Sequence, residues 1–90
     1  MSDARAASGE TVVVLFFAAA RDAAQTSEWR TTVRADETVA SLRERVFEAF
    51  PALKSWARAL RFAVDGEYAK DDAIVRAGSE IAVIPPVAGG

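Results

Sequence analysis

The stretch TVVVLFFA, residues 11–18, decides the fold, because large apolar side chains fill both of its alternating sets of positions. Successive side chains of a β-strand point to opposite faces of the sheet. One face of this strand carries Val12, Val14 and Phe16, and the other carries Val13, Leu15 and Phe17. A strand that is apolar on both faces needs cover on both faces, so we predict a buried strand here.

The segment at residues 28–34 alternates between two kinds of side chain. Trp29, Thr31 and Val33 share one face, and the residues between them are charged or polar, namely Glu28, Arg30, Thr32 and Arg34. This period of two predicts a second strand that has one face turned inward and the other exposed to solvent.

An amphipathic helix is predicted to begin after Thr38. Threonine is a favourable N-cap residue, and the acidic pair Asp36 and Glu37 suits the positive end of a helix dipole. The apolar positions that share one helical face are Val39, Leu42, Val46, Ala49 and Phe50. Pro51 ends this pattern, because its ring cannot continue the hydrogen-bond ladder of the helix.

A hairpin is predicted in the second half of the chain. Its first strand runs through Leu60, Phe62 and Val64, and its short return strand covers residues 67–69. Between them lies Asp65-Gly66, a dipeptide favoured in two-residue hairpin turns.

The last strand, residues 80–84, again carries apolar residues on both faces and follows a turn at residues 77–79. With a turn or short helix around residues 52–58, the order is two strands, one main helix, two short strands and a final strand. This order predicts an α+β fold, a ubiquitin-like β-grasp with a mixed sheet of about five strands and one main helix on one face. One helix covers only one sheet face, so we expect a partner protein to dock on the other.

Composition removes most catalytic mechanisms. The 90 residues contain no cysteine and no histidine, which excludes disulfides, thiolate nucleophiles and imidazole acid–base chemistry, and we predict no metal site. The formal net charge is −2 and the sequence shows no basic cluster, so no nucleic-acid or membrane partner is expected. The nine-residue apolar run that starts at Val12 is too short to span a bilayer, and Asp3 and Glu10 precede it, so we expect a cytoplasmic protein.

The end of the chain, IPPVAGG at residues 84–90, is the predicted reactive segment. Two prolines favour an extended path away from the sheet, and Gly-Gly can enter a passage too narrow for other residues. The predicted tail comprises Pro85, Pro86, Val87, Ala88, Gly89 and Gly90, and the Gly90 carboxylate is its reactive group. The remaining chain divides into a disordered N-terminal extension, residues 1–11, and the domain itself, residues 12–84.

Two stretches, VLFFAAARD at residues 14–22 and IPPVAGG at residues 84–90, resemble the small subunit of molybdopterin synthase, the MoaD-type sulfur carrier. The resemblance implies that an E1-like adenylating enzyme uses ATP to activate Gly90 and that a sulfur donor protein converts it to a thiocarboxylate. It implies delivery of that sulfur to cyclic pyranopterin monophosphate within a heterotetrameric synthase, where the large subunit supplies the catalytic side chains. The carrier itself would be non-catalytic. No Gly-rich phosphate loop is present, so we expect no cofactor bound by this chain.

For the partner interface the sequence suggests Phe17 and Ile84, near the ends of the two doubly apolar strands, together with Arg21 from the family-like stretch. Three alternatives remain open. The chain could carry sulfur for another pathway such as thiamine synthesis, it could be a ubiquitin-like modifier conjugated through Gly90, or it could be a non-covalent binding module.

Overall fold

A computed structural model describes residues 10–85 of the chain. The predictions that concern residues 1–9 and 86–90 lie outside this range. The elements are the strands β1 (Thr11–Phe16), β2 (Glu28–Thr32), β3 (Arg61–Val64), β4 (Glu67–Tyr68) and β5 (Glu80–Ile84), the helices α1 (Ala18–Ala24) and α2 (Val39–Ala49), and a 3-10 helix (Pro51–Trp56).

The strands form a single mixed sheet in the order β2-β1-β5-β3-β4. The two central strands, β1 and β5, run parallel, and the other three pairings are antiparallel. These are the two strands whose apolar residues occupy both faces in the sequence. The predicted α+β architecture, a mixed five-stranded sheet with one main helix, is therefore confirmed.

The hydrophobic core lies between one face of the sheet and helix α2. Val12, Val14 and Phe16 of β1 are at most 2% exposed, and Leu42 and Val46 of the helix are fully buried in the same cluster. Edge-to-face aromatic contacts at 5.0 Å and 5.3 Å between ring centres join Phe50 to Phe16 and to Trp29. We call this side of the sheet the inner face.

Helix α2 begins as predicted. The Thr38 side-chain oxygen accepts a hydrogen bond from the backbone N–H of Ser41 at 3.1 Å, which satisfies one of the free N–H groups of the first turn. Pro51 lies at the start of the 3-10 helix that follows, so the α-helix ends before it.

The structure differs from the predicted apolar stripe of α2 at two positions. Ala49 is exposed, whereas Phe47, absent from the predicted stripe, is 7% exposed. The two residues flank the stripe on opposite sides. The chain that follows the helix folds back along the side of the helix that carries Phe47, and Phe47 and Leu60 line the same groove. The path of this following chain therefore determines that Phe47 is buried and Ala49 is exposed.

The structure contains one helix that the sequence analysis did not predict. Five of the seven residues of α1 are alanine, which favours helix strongly but leaves too few large side chains to form an apolar pattern. The predicted first strand therefore ends at Phe16 rather than Ala18. Phe17 is the N-cap of α1, and Ala20 of this helix is completely buried in the hydrophobic core.

The first strand begins at Thr11, the first residue of the predicted strand segment. Thr11, which the sequence assigned both to this strand segment and to the extension, residues 1–11, pairs with Thr32 of β2. The Glu10 carbonyl also accepts a hydrogen bond from Val33 N–H at 2.7 Å. Backbone pairing with β2 therefore holds this part of the chain in the sheet.

The hairpin turn has the predicted geometry. Asp65 and Gly66 both have positive φ, 50° and 89°, as a type I′ turn requires. The Asp65 carboxylate accepts a hydrogen bond from Glu80 N–H at 2.9 Å, which ties the turn to the start of β5. Within residues 10–85, no helix combines the length and apolarity needed to cross a membrane.

Candidate partner interface

Among residues 10–85, no helix lies over the second face of the sheet. Its central residues come from three adjacent strands, and the strand register places Leu15 beside Ala82 and Ala82 beside Ala63. Val13 extends this surface along β1, and Ile84 extends it along β5. We call the surface formed by Val13, Leu15, Ala63, Ala82 and Ile84 the outer face.

The outer face is only partly shielded from solvent. Val13, Leu15, Ala82 and Ile84 are half-buried, and only the small Ala63 is buried. Polar or amphipathic residues surround this apolar centre, namely Glu28, Arg30, Arg61, Tyr68 and Glu80. An apolar patch with a polar rim on a small domain is typical of a protein-binding surface.

The rim is held by weak contacts. The Arg61 guanidinium lies 5.2 Å from the centre of the Tyr68 ring, and Tyr68 itself is 66% exposed. On the opposite side Arg30 forms an exposed ion pair with Glu28 at 3.3 Å. Exposed contacts of this kind contribute little to folding, so these side chains are free to rearrange around a partner.

The structure brings two of the three predicted interface residues together. β1 and β5 are parallel and end at the same side of the sheet, and Phe17 N–H donates to the Val83 carbonyl at 3.3 Å. Phe17 is 45% exposed and lies beside the end of β5, next to half-buried Ile84.

Arg21, the third predicted residue, lies one helical turn beyond Phe17. Its backbone N–H donates to the Phe17 carbonyl at 3.3 Å, and the residue is exposed on α1. The structure therefore places Arg21 near the same end of the sheet. The roles of all three residues in binding a partner stay predictions.

The predicted tail begins at this end of the sheet. Pro85, its first residue, is half-buried and directly follows Ile84. The other predicted tail residues, Pro86, Val87, Ala88, Gly89 and Gly90, lie outside the described residues. The outer face and the base of the tail are thus adjacent.

The edge of strand β2 is partly closed to another strand. The Thr26 hydroxyl donates to the Glu28 carbonyl at 3.0 Å and accepts from the Glu28 N–H, and Arg45 donates to the Thr32 carbonyl at 2.7 Å. These side chains occupy backbone groups that an added strand would need. We therefore expect a partner to bind the outer face rather than extend the sheet at β2.

Two carboxylates with shifted pKa values belong to the scaffold rather than to this surface. Burial acts to raise the pKa of Glu37, but hydrogen bonds from Arg34 N–H, the Ser41 hydroxyl and the Arg45 guanidinium outweigh it and hold the pKa below its usual value. A hydrogen bond from Arg43 likewise lowers the pKa of Asp71.

Sequence reasoning missed some residues of the outer face and of its rim. Ala63 and Ala82 are too small to stand out in a hydropathy pattern, and Tyr68 lies in a strand of only two residues. Their positions follow from the pairing of β3 with β4 and β5, which brings Ala63 opposite both Tyr68 and Ala82. The sequence does not specify that register.

A family model described as the ThiS family matches residues 14–90. This chain belongs to that family. The match runs from Val14 in β1 through the predicted tail, so it includes all residues of the outer face except Val13, together with the residues beyond Pro85.

Curated relatives narrow the family further. Molybdopterin synthase sulfur carrier subunits from Chlamydomonas reinhardtii and Caenorhabditis briggsae are 32% and 37% identical, over 88% and 89% of this chain. Each alignment covers 98% of the relative. The family relationship implied by VLFFAAARD and IPPVAGG is confirmed.

Solved structures share the ThiS-family fold seen here. SAMP1 from Haloferax volcanii has a TM-score of 0.78 and 28% identity, with 89% of this chain and 99% of that chain covered. A chain from the complex of subunits 1 and 2 of the molybdopterin-converting factor of Helicobacter pylori has a TM-score of 0.62 and 22% identity, with 89% and 99% covered. At that identity the second structure supports the fold alone.

Proposed function

We propose that this chain is the sulfur carrier subunit of a molybdopterin synthase and bears a thiocarboxylate on Gly90. The observation that carries the proposal is the position of the apolar outer face beside the base of the tail. Parallel pairing of β1 with β5 places Phe17, Ile84 and Pro85 at one end of the sheet. A partner that covers the outer face is thereby positioned to receive the tail.

The proposed chemistry needs only the terminal carboxylate of this chain. A Gly90 carboxylate oxygen attacks the α-phosphorus of ATP on an activating enzyme, and pyrophosphate leaves. A sulfur nucleophile at the oxidation level of hydrosulfide then attacks the acyl carbon and displaces AMP. The product is a thiocarboxylate, and its sulfur is the atom delivered to cyclic pyranopterin monophosphate.

The division of labour follows from the residue types. The chain has no cysteine or histidine to act as nucleophile or general base, so the activating enzyme and the large synthase subunit supply those groups. The carrier contributes a docking surface and a narrow end. The relatives named as sulfur carrier subunits support this arrangement. We place the reaction in the cytoplasm.

Binding of the outer face to a partner offsets the free-energy cost of ordering the tail. Ordering a tail in a narrow site costs roughly 1 to 2 kcal/mol per residue in conformational entropy. The glycines at the end make no side-chain contacts that would offset this cost. Burial of the half-exposed apolar residues of the outer face provides the compensating free energy.

Intact-mass spectrometry tests the proposal. Incubation of the full chain with its adenylating enzyme, ATP and a sulfur donor should replace one oxygen by one sulfur. Deletion of Gly90 should abolish the change, and deletion of residues 2–9 should preserve it as the matched control. An unchanged mass of the native chain in the complete mixture would contradict the proposal.

The alternatives give different products. A protein modifier, the function suggested by the name of another similar structure, small archaeal modifier protein 1 of Haloferax volcanii, forms isopeptide bonds between Gly90 and lysines. A binding module keeps its partner affinity and function after loss of Gly89 and Gly90. A thiamine-pathway carrier rescues a strain that lacks thiamine synthesis, whereas we expect rescue only of a strain that lacks molybdopterin.

A further inference from the structure

A groove with excess positive charge lies beside the outer face. It consists of two adjoining cavities of about 570 Å³ and 220 Å³, which share Arg43 and Leu60. The larger lies between α2 and the 3-10 helix and is lined by Lys54 and Arg58, and the smaller reaches Arg61. We call this feature the basic groove.

One of its four cations is already neutralised. The Arg43 guanidinium donates two hydrogen bonds to the Asp71 carboxylate, at 2.5 Å and 2.8 Å, and lies 6.0 Å from the centre of the Phe62 ring. Two parallel hydrogen bonds fix a guanidinium firmly. Arg43 therefore forms a fixed wall of the groove and is not available to a ligand.

The other three cations are available. Lys54, Arg58 and Arg61 are exposed, and none of them forms an ion pair with another residue of the described part of the chain. Apart from Asp71, the carboxylate that lines the groove is Glu44. The groove is thus net positive on a chain whose formal net charge is −2. Such a local reversal of charge attracts acidic groups.

The groove is continuous with the docking side of the molecule. Arg61 pairs with Ile84 of β5 and lies over the Tyr68 ring, so it belongs both to the groove and to the rim of the outer face. A protein that covers the outer face and takes up the tail would also reach Arg61. The cations at Lys54 and Arg58 extend that contact around the β3 side of the domain.

We propose that the basic groove binds a carboxylate-rich segment of a protein that receives the tail. This inference rests on the proposed function. A protein segment fits better than a nucleic acid, because three cations beside Glu44 on an acidic chain provide too few phosphate contacts for useful affinity. Rim charges of this kind act mainly on the rate of association and on the choice of partner.

Charge reversal in the groove tests the inference. The double variant Lys54→Glu, Arg58→Glu removes two groove cations. The double variant Arg34→Glu, Arg76→Glu is the matched control, since it changes the net charge equally at exposed arginines that line a different cavity. Thermal unfolding of both variants establishes that they are folded.

The first measurement is an NMR titration of the full chain with a peptide of alternating glutamate and alanine. We expect shifts concentrated around the 3-10 helix and the start of β3, and at least about tenfold weaker binding by the groove variant, with the control within about twofold of native. Equal shifts around Arg34 and Arg76 would overturn the inference. Tighter binding of a single-stranded oligonucleotide or of pyrophosphate than of the peptide would also overturn it.

The second measurement uses the proposed partners. Association with the adenylating enzyme and with the large synthase subunit is followed at low and high salt. For at least one of them, the groove variant should associate about tenfold more slowly at low salt and lose most of the salt dependence. Native behaviour of the groove variant with both partners would refute the inference. If the native chain still gains sulfur in that case, the proposed function stands and only the groove assignment fails.

Discussion

The two faces of strand β1 differ sharply in burial although both are apolar. On the inner face, Val14 is fully buried and Phe16 is 2% exposed. On the outer face, Leu15 between them is only half-buried, and Phe17, directly after the strand, is 45% exposed. Neighbouring residues of one strand have the same backbone conformation, and these are similarly apolar. The difference in burial therefore comes from what packs against each face of the sheet.

Strand β5 repeats the pattern, with Ile81 and Val83 fully buried on the inner face and Ala82 and Ile84 half-buried on the outer face. Apolar area removed from water by α2 stabilises the folded domain. The apolar area that stays exposed on the outer face is removed from water only when a partner covers it, so it can stabilise a complex but not the free domain. The comparison therefore separates residues that fold the domain from residues that, under the proposed function, bind the synthase.

The largest expected effect is on the inner face. Leu42→Ala should lower the free energy of unfolding by about 3 kcal/mol, because it removes a fully buried side chain and leaves a cavity in a packed core. Leu15→Ala is the matched change on the outer face and should cost about 1 kcal/mol, since the site is already open to solvent.

Urea unfolding of the two leucine variants provides the measurement. Equal losses of stability would break the distinction between the faces. The expected result is a midpoint much lower for Leu42→Ala than for Leu15→Ala, with similar slopes.

The second effect concerns binding. Ala82 lies between Leu15 and Ala63 in the middle of the outer face. Ala82→Arg should weaken association with the large synthase subunit at least about thirtyfold, or about 2 kcal/mol, because it places a charge where apolar contact is required. Stability should change by less than about 1 kcal/mol.

Ala52→Arg is the control for this prediction, because Ala52 is exposed on the 3-10 helix and does not belong to the outer face. Isothermal titration calorimetry gives both affinities. If the two arginine variants bound the large subunit equally well, the outer face would not be the docking surface.

Much of the fold was predictable because its elements carry strong local signals. The alternation at residues 28–34, the Thr38 cap and the Asp65-Gly66 turn each predict one local structure, and all three are found. Helix α1 escaped prediction because alanines give propensity without a pattern. The burial of Phe47 depended on the path of the following chain, which no local pattern specifies.

The candidate site divides in the same way. Phe17 and Ile84 could be selected from the sequence, because each lies near the end of a segment in which apolar residues occupy both faces of the predicted strand. The basic groove could not, since Arg43, Lys54 and Arg61 come from three different elements and meet only through tertiary packing. A cluster whose residues come from separate helices and strands produces no run of basic residues in the sequence.

A third expected effect, on stability, concerns the polar contacts that connect helix α2 to strand β2. Helix α2 covers the inner face. Glu37 is 4% exposed and accepts hydrogen bonds from Ser41 at 2.8 Å and from Arg45 at 3.0 Å, and Arg45 also donates to Thr31 of β2 at 3.0 Å. Glu37→Gln should lower the free energy of unfolding by about 1.5 kcal/mol, because the charged hydrogen bonds are lost.

The pH dependence of the Glu37 effect has a definite sign. The pKa of Glu37 is lowered in the folded chain, so its carboxylate stabilises the fold above its ordinary pKa of 4.5. That contribution fades as the pH falls through the lowered folded value. The stability difference between native chain and Glu37→Gln should therefore shrink in acid, and a difference that grew there would contradict the assignment.

The smallest effect is expected at the start of α2. Thr38→Ala removes the side-chain acceptor of Ser41 N–H and should cost about 1 kcal/mol, whereas Thr38→Ser keeps that oxygen and should cost less than half as much. Both variants act on the helix that covers the inner face and leave the outer face intact. Their affinity for the large subunit should therefore equal that of the native chain. A variant that lost affinity in proportion to stability would show that docking depends on the packing of α2, and the two faces would no longer be independent.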